Sequence, residues 1–546
     1  MPSSDIQTLL RSHPQPIKNP SRPTLIHEVI ANKEALVTAS GALATWNPAN
    51  ATGRSPKDTY IVKRADSEVT TDWTSPNSNA MAPELFEELL ADALAQLGQA
   101  KKIYAIDRVI GARSSYALPV TVVSDRATSV LFADTMFRPV PPDVASSLFA
   151  SQPFTIVVAP TAIVSHEKYQ GRLRQENGKT IPIAIVMDLD QRICLVMGTL
   201  YCGTVKKMMF TVMNHLLPGN GILSLHASAI ETDAHETVVF LGLSGTGKTT
   251  LSSDPKYSFI GDDEIGWNSE GIANYEYGCY AKLVRLDASR EPAIYHATFD
   301  PRPVEQNGCI IENALMWPDG TFDLNDERLT ENSRTSYPIS FLEHTNPGAI
   351  GSHPKTLILL TADANGVLPP LAKLTREQAI LWFLMGYTSK LAGTEVGVKE
   401  PSTTFSRFFG APFMPRLPKD YTTLFDQYTQ HHQTNVYLIN TGWSGGPYGM
   451  GKRMDINLTR ALVHAAIDGT VETVEYDHDP LFHIMVPRTC PGVEDATVLH
   501  PRQTWADPAA YDARAQKLTK EFSDYFDKNF AGQGFDQNVV AQCPGK

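Results

Sequence analysis

The octapeptide Gly242-Leu243-Ser244-Gly245-Thr246-Gly247-Lys248-Thr249 follows the apolar run 237–241 (TVVFL) without a gap. This GxxxxGK[ST] pattern functions where a buried strand passes through a tight glycine turn into a helix, so it fixes a strand–loop–helix unit in the fold. The glycines let successive backbone N–H groups face inward around phosphate oxygens. Lys248 would reach the β- and γ-phosphates, and the Thr249 hydroxyl would ligate Mg2+. A second apolar run, 257–260, ends in Gly261-Asp262-Asp263-Glu264. Paired aspartates at a strand tip beside a phosphate loop are suited to holding a metal. Alone, an acidic triplet is as readily a solvated turn, and a glycine turn exists without phosphate. Together the two point to a bound nucleotide. Pro255 leaves room for only a short helix after the loop.

The 546 residues exceed what one core usually supports and predict two or more lobes. Acidic residues outnumber basic ones 59 to 47 with no basic stripe, which argues against a nucleic-acid partner. Six scattered cysteines without a CxxC pair argue against a zinc or redox motif and for a reducing compartment. The N-terminal stretch is polar and proline-broken, unlike a signal peptide, and no apolar run is long enough to span a bilayer. The expected location is cytoplasmic, with no membrane partner.

Residues 1–40 read as a loosely structured lead-in with an early helix. The apolar spacing at 82–97 predicts a helix with Pro83 in its first turn. Short β-like runs stand at 121–123, 155–158 and 181–187. An apolar helix over 206–217 stops at the breaker cluster 217–221. Strands are then expected at 223–230, 237–241, 257–260, 356–361 and 436–440, with a helix over 376–391. The expected fold class is α/β in the mixed α+β sense. It has an N-terminal lobe, 1–221, and a C-terminal P-loop mononucleotide-binding lobe, 222–546, with the active site in the cleft between them.

The loop 242–250 (GLSGTGKTT), the IGDDE run and Gly278-Cys279-Tyr280-Ala281-Lys282 together resemble the ATP-dependent phosphoenolpyruvate carboxykinase family. Further blocks match in the family's order: 52–58 (TGRSPKD), 201–207 (YCGTVKK), 226–229 (HASA), 330–338 (TENSRTSYP), 390–395 (KLAGTE) and 440–443 (NTGW). The resemblance covers roughly residues 40 to 465. It implies a lyase of gluconeogenesis that takes oxaloacetate and ATP to phosphoenolpyruvate, ADP and CO2, with Mn2+ and Mg2+ as cofactors. An oligomer is compatible with it.

The site residues follow from the same likeness. Arg54 is implied to hold a carboxylate of oxaloacetate, for which a guanidinium fork is matched. Tyr201 and Ser244 are implied to lie against the substrate. Lys207, His226 and Asp263 are the implied Mn2+ ligands, which requires a neutral lysine. Lys206 is a neighbouring positive group. Gly242, Leu243, Ser244, Gly245, Thr246, Gly247, Lys248, Thr249 and Thr250 are implied to wrap the phosphates. Thr249 is implied to ligate Mg2+, with Asp262 supporting its hydration shell. Lys282 and Arg334 would offset charge on the transferring phosphoryl group, beside Lys207 and Lys248 as the catalytic cations. His226 and Arg334 also count among the nucleotide contacts, and Glu291, Arg453, Met454 and Thr459 match positions near ribose and base. Residues 388–410, with Gly393, Gly397 and Gly410, resemble the family's lid. Without that context Arg54 reads as a surface arginine, Lys206-Lys207 as a solvated pair and His226 as a core histidine.

The chain departs from the family pattern at Ile265, at Tyr277 and in the extra segment 444–450, none of which removes an assigned residue. Two other classes share the phosphate loop. A P-loop kinase acting on a protein serine would not need Arg54, Tyr201 and Lys207 together. A non-enzymatic nucleotide binder would be expected to have lost Lys207 or His226.

Overall fold

In the computed structural model, which describes residues 2–390 and 400–546, the chain forms two compact units. The first comprises Met1–Leu216, Ala273–Gly348 and Pro412–Leu417; the second comprises Leu217–Ile272, Ala349–Ala411 and Pro418–Lys546. The chain first changes unit at 216/217, near the expected boundary at 221/222, but it then returns twice. Strand pairing is the reason. Ile310–Glu312 runs parallel to Leu43–Thr45 and antiparallel to Arg334–Pro338, which in turn pairs with Gly278–Lys282. These ladders hold 273–348 to the N-terminal residues.

The first unit is built on an eight-stranded mixed sheet. Its spatial order is Pro16–Lys18, Ile103–Ile110, Leu118–Ser124, Phe154–Ala159, Ile193–Met197, Ala184–Asp188, Thr59–Val62 and Asn79–Met81. The helix Pro83–Gln99 starts on a proline with Glu84 in its first turn. It buries Leu85, Phe86, Leu89, Leu90, Ala93 and Leu97, one stripe at helical spacing. Residues 1–40 are not a loose lead-in. Pro16–Lys18 is an edge strand paired to Ile103–Ala105, and the helix Pro2–Ser12 sends Ile6 and Leu10 into the same core as Phe86.

The second unit centres on a larger sheet. Leu223–Glu231 lies antiparallel to Thr237–Leu241, which runs parallel to Pro354–Thr361, itself parallel to Asn435–Asn440. All five residues of Thr237–Leu241 are buried, as expected of an interior strand covered on both faces. The helix expected over 376–391 is shorter, Arg376–Met385. Thr375 and Gln378 form a capping box at its start, and Gly386 ends it at φ 57°. A Cβ at Gly386 would stand 1.8 Å from the Ser406 carbonyl oxygen, so only glycine fits. The chain continues as Tyr387–Lys390, antiparallel to Ser402–Phe405. Of the expected lid, residues 391–399, with Gly393 and Gly397, lie outside the described residues. Among the described residues no helix is long and apolar enough to cross a membrane.

In the first unit the helix Gly203–Leu216 carries Lys206 and Lys207 and is secured near its end by His215. Thr70 Oγ1 lies 2.8 Å from His215 Nε2, and Arg416 donates to the His215 carbonyl at 3.2 Å. Burial, and then the Arg416 charge, bring the His215 imidazole down to about 3. The folded state therefore holds the ring neutral where an unfolded ring, titrating near 6.5, takes up a proton. Its stabilising contribution is complete above pH 6.5 and is lost as pH falls toward 3. Urea unfolding between pH 7 and 5 is expected to lose stability, and His215→Asn to flatten that dependence; an equally steep loss in the variant would assign it to other groups.

Candidate active site

The strand Leu223–Glu231 organises the phosphate side of the second unit. One edge pairs with Thr237–Leu241 and the other first with Glu264–Asn268 and then with Ser258–Gly261. Both neighbours Thr237–Leu241 and Ser258–Gly261 are antiparallel to it, so their carboxyl ends emerge at the same end of the sheet. The phosphate loop leaves one of them and Asp262-Asp263 leaves the other. Gly245 and Gly247 sit at φ 85° and 101°, a conformation that side-chain-bearing residues rarely adopt. A Cβ at Gly242 would stand 2.4 Å from Thr246 Oγ1. The following helix is only Lys248–Ser252.

His226, Lys248 and Asp263 meet at this end of the sheet. His226 Nδ1 donates to the Phe409 carbonyl at 2.6 Å, so in the neutral ring Nε2 carries the lone pair. That nitrogen lies 3.0 Å from Asp263 Oδ1. Lys248 Nζ stands 3.3 Å from His226 Nε2 and 3.5 Å from Asp263 Oδ1. Two acceptor atoms thus converge on one ammonium, a nitrogen–oxygen donor pair that a divalent cation also takes. Lys248, expected at the phosphates, is directed to this pair. Ser244 and Gly245 are exposed at the loop's tip. Arg453 braces the loop from behind, Nη2 donating to the Gly245 carbonyl at 2.8 Å and Nε to the Thr441 carbonyl at 3.1 Å. Met454 N–H donates to the Gly442 carbonyl, and the buried Thr459 lies in the first turn of helix Ile456–Ile467.

Of the residues expected at the substrate, Arg54, Tyr201, Lys207 and Arg334 belong to the first unit and Ser244 to the second. Arg54 and Lys207 approach the same ring, Phe413, at 4.7 and 4.8 Å from its centroid. They border a cavity of about 40 Å³ that Thr204, Thr211 and Asn77 also line. The segment around Arg54 is tied down by Asn332, whose Nδ2 donates to the Thr52 carbonyl at 2.9 Å and lies 3.4 Å from the Tyr201 hydroxyl. Arg334 Nε donates to Asn332 Oδ1 at 3.0 Å. Lys282 stands opposite Arg334 in the strand ladder. Lys206 pairs with Glu276 at 2.8 Å, both side chains buried. Beneath them Glu312 accepts from the Tyr280 hydroxyl at 2.5 Å and from the Cys202 N–H at 3.0 Å. Glu291 precedes the helix Pro292–Phe299, also in the first unit.

A scan against protein-family models matches residues 15–496 to the family described as phosphoenolpyruvate carboxykinase. The chain belongs to the ATP-dependent phosphoenolpyruvate carboxykinase family. It is 43% identical over 507 residues to phosphoenolpyruvate carboxykinase (ATP) 1 of Moorella thermoacetica, covering 92% of each chain. It is 44% identical over 521 residues to phosphoenolpyruvate carboxykinase (ATP) of Mesorhizobium japonicum, covering 95% of this chain and 92% of that one. Agrobacterium fabrum phosphoenolpyruvate carboxykinase (ATP) is 44% identical over 504 residues.

Within this carboxykinase chain Asn332, Phe413 and Glu312 are contacts that the sequence did not single out. Asn332 had a signal, since it lies in the same block as Arg334; Phe413 and Glu312 had none. Burial, and next the Arg334 charge, bring the Lys282 ammonium down to about 8. Lys282 is therefore cationic below pH 8 and neutral above it, where an ordinary lysine stays charged. The kcat/KM of the carboxykinase reaction is expected to fall on an alkaline limb near pH 8. Lys282→Arg should move that limb upward, and a limb that stays in place would rule out Lys282 as its source.

Proposed function

We propose that the chain decarboxylates oxaloacetate and phosphorylates the resulting enolate with ATP, giving phosphoenolpyruvate, ADP and CO2, as a step of gluconeogenesis. The observation that carries the substrate assignment is the pairing of Arg54 and Lys207 around one small cavity, in a chain that also has a phosphate loop. A kinase acting on a protein serine needs no such pair. Formation of oxaloacetate from phosphoenolpyruvate, ADP and bicarbonate by the purified chain tests the reading directly, and phosphorylation of a protein substrate with no oxaloacetate formed would replace it.

Arg54 holds a carboxylate of oxaloacetate, and Asn332 keeps the Thr52–Arg54 backbone in place for it. Tyr201 lies along the substrate, and Ser244 touches it from the loop. The amides of 242–250 cradle the phosphates of ATP. Lys248, Lys282 and Arg334 offset charge as the phosphoryl group moves to the enolate oxygen. Arg453, Met454 and Thr459 serve the ribose and base, with Glu291 assigned there by resemblance. His226 and Asp263 are proposed ligands of Mn2+, supported by their convergent lone pairs; Lys207 enters that set by resemblance alone. Thr249 and Asp262 are assigned to Mg2+ in the same way. When bound at these residues, the metals would supply Lewis-acid stabilisation of negative charge on the enolate and the phosphates. All six cysteines are buried and unbridged, which supports a cytoplasmic, reducing setting.

Asp263→Asn removes the charge of one proposed ligand while keeping its shape. Mn2+ affinity, read by calorimetric titration, is expected to fall more than about tenfold with the fold intact. Unchanged affinity would remove Asp263 from the ligand set.

Arg54→Lys keeps the charge but loses the fork. A charge-assisted hydrogen bond is worth about 1.5–3 kcal/mol, so kcat/KM for oxaloacetate should fall roughly ten- to a hundredfold or more. ATP binding without oxaloacetate should hardly change. Weakened ATP binding with intact oxaloacetate kinetics would move Arg54 to the nucleotide.

A further inference from the structure

A second cavity, of about 630 Å³, opens within the second unit and contains none of the residues assigned to substrate, nucleotide or metal. Its size falls in the range of small-molecule sites, about 300–1,000 Å³. One wall is the hairpin of Tyr387–Lys390 and Ser402–Phe405; the opposite wall is the helix Pro508–Phe530. Four charged side chains of that helix line it: Arg514, Lys517, Glu521 and Asp524. At spacings of three and four residues they project from one face.

Arg514 is aimed rather than loose. Its Nε donates to Asn365 Oδ1 at 2.8 Å, and Asn365 is fixed by the Tyr387 hydroxyl at 3.0 Å and Thr403 at 3.3 Å. Among the described residues, the terminal nitrogens of Arg514 and the Lys517 ammonium have no hydrogen-bond or ion-pair partner. Glu521 Oε2 is buried and likewise lacks a hydrogen-bond partner. Lys517 and Glu521 stand at the i,i+4 spacing that normally pairs opposite charges, yet they do not pair. Asp524, also at the rim, is engaged by Lys520 at 2.7 Å. A buried carboxylate oxygen without a donor is costly, and so is a row of cations held apart from it. Phe405 and Tyr525, stacked with centroids 4.5 Å apart, add an apolar surface to the same cavity.

The geometry points to a binding site for a small organic acid that also carries an ammonium group, its acid on Arg514 and Lys517 and its ammonium on Glu521. A doubly charged ligand of this kind satisfies both poles, which a simple anion cannot do. The site is separate from the oxaloacetate contacts, and its occupation would join the hairpin to the C-terminal helix.

Calorimetric titration of the full chain with L-glutamate and with glutarate, which has the same length but no ammonium, tests this. Saturable glutamate binding is expected, with glutarate weaker by about tenfold or more. Glu521→Gln should erase that difference. Arg514→Gln and Lys517→Gln should each weaken both acids by about fivefold or more. Among the described residues Lys517 makes no hydrogen bond, so its variant keeps the fold even where Arg514→Gln does not. Arg54→Lys should leave glutamate binding unchanged. Absence of saturable heat, binding indifferent to Lys517→Gln, or binding lost in Arg54→Lys would overturn the proposal.

Discussion

The phosphate side of the molecule depends on one strand, Leu223–Glu231, holding partners on both edges. On one edge the ladder changes partner along its length, from Glu264–Asn268 to Ser258–Gly261, with a register shift between Ala229 and Ile230. The chain that makes that change is Gly261-Asp262-Asp263-Glu264. Its two aspartates are therefore pushed out of regular pairing at the level of His226, and Ala227 N–H holds the Asp263 carbonyl at 3.1 Å. The other edge carries the strand that launches the glycine loop. Lys248 and Asp263 meet at His226 because both connections are anchored to the same backbone. Losing that ladder would scatter the cluster without touching any of its three side chains.

The first unit solves a different problem, how to keep cations and hydroxyls in place around a small cavity. Its answer is polar side chains, the half-buried Asn332 and the buried Glu312, that each serve two segments. Asn332 ties the Thr52 carbonyl to Arg334. Glu312 ties Tyr280 to the Cys202 amide next to Tyr201. Burial pushes the Glu312 carboxyl up, so the surrounding donors are what make its place in the core tolerable. Removing one partner from such a network leaves a buried group unsatisfied, which costs more than the hydrogen bond itself contributes. On the proposed reading these residues position the groups that meet substrate rather than touching it themselves.

Local patterns were readable in the sequence because local forces set them. The stripe in Pro83–Gln99, the buried run Thr237–Leu241 and the glycine turn after it each announce themselves within a few residues. The return of 273–348 to the first unit does not, since it rests on Ile310 pairing with Leu43, far away in the chain. The same holds for the N-terminal residues. Pro16–Lys18 carries no strong strand signal and becomes a strand because Ile103–Ala105 offers an open edge. At the site, residues inside recognisable blocks could be named in advance. Phe413, which both Arg54 and Lys207 face, could not, because a lone phenylalanine is core material by default. The helix Arg376–Met385 is shorter than expected because Gly386 stops it in a left-handed backbone conformation and Tyr387–Lys390 then pairs as a strand with Ser402–Phe405, a partner that local sequence does not reveal.

The brevity of the helix after the glycine loop has a consequence for how anions are held. Phosphate-binding helices usually contribute an aligned dipole, worth about half a charge at the N-terminus. Lys248–Ser252 is barely more than one turn, too short to supply much of that. The chain also carries a formal charge of -12, so its overall field opposes an incoming polyanion. On the proposed reading, attraction must therefore come from groups close to the phosphates: N–H groups of the loop that carries the left-handed Gly245 and Gly247, and discrete cations. This explains why the loop is braced so firmly. Thr246 folds back onto the Leu243 carbonyl at 2.8 Å, Thr441 donates to the Thr246 carbonyl at 3.0 Å, and Arg453 secures Gly245. A loop whose binding energy lies in fixed amide directions loses it if those directions wander, and here the bracing falls mainly on carbonyl oxygens, with the Thr246 N–H also turned onto the Leu243 carbonyl at 3.2 Å.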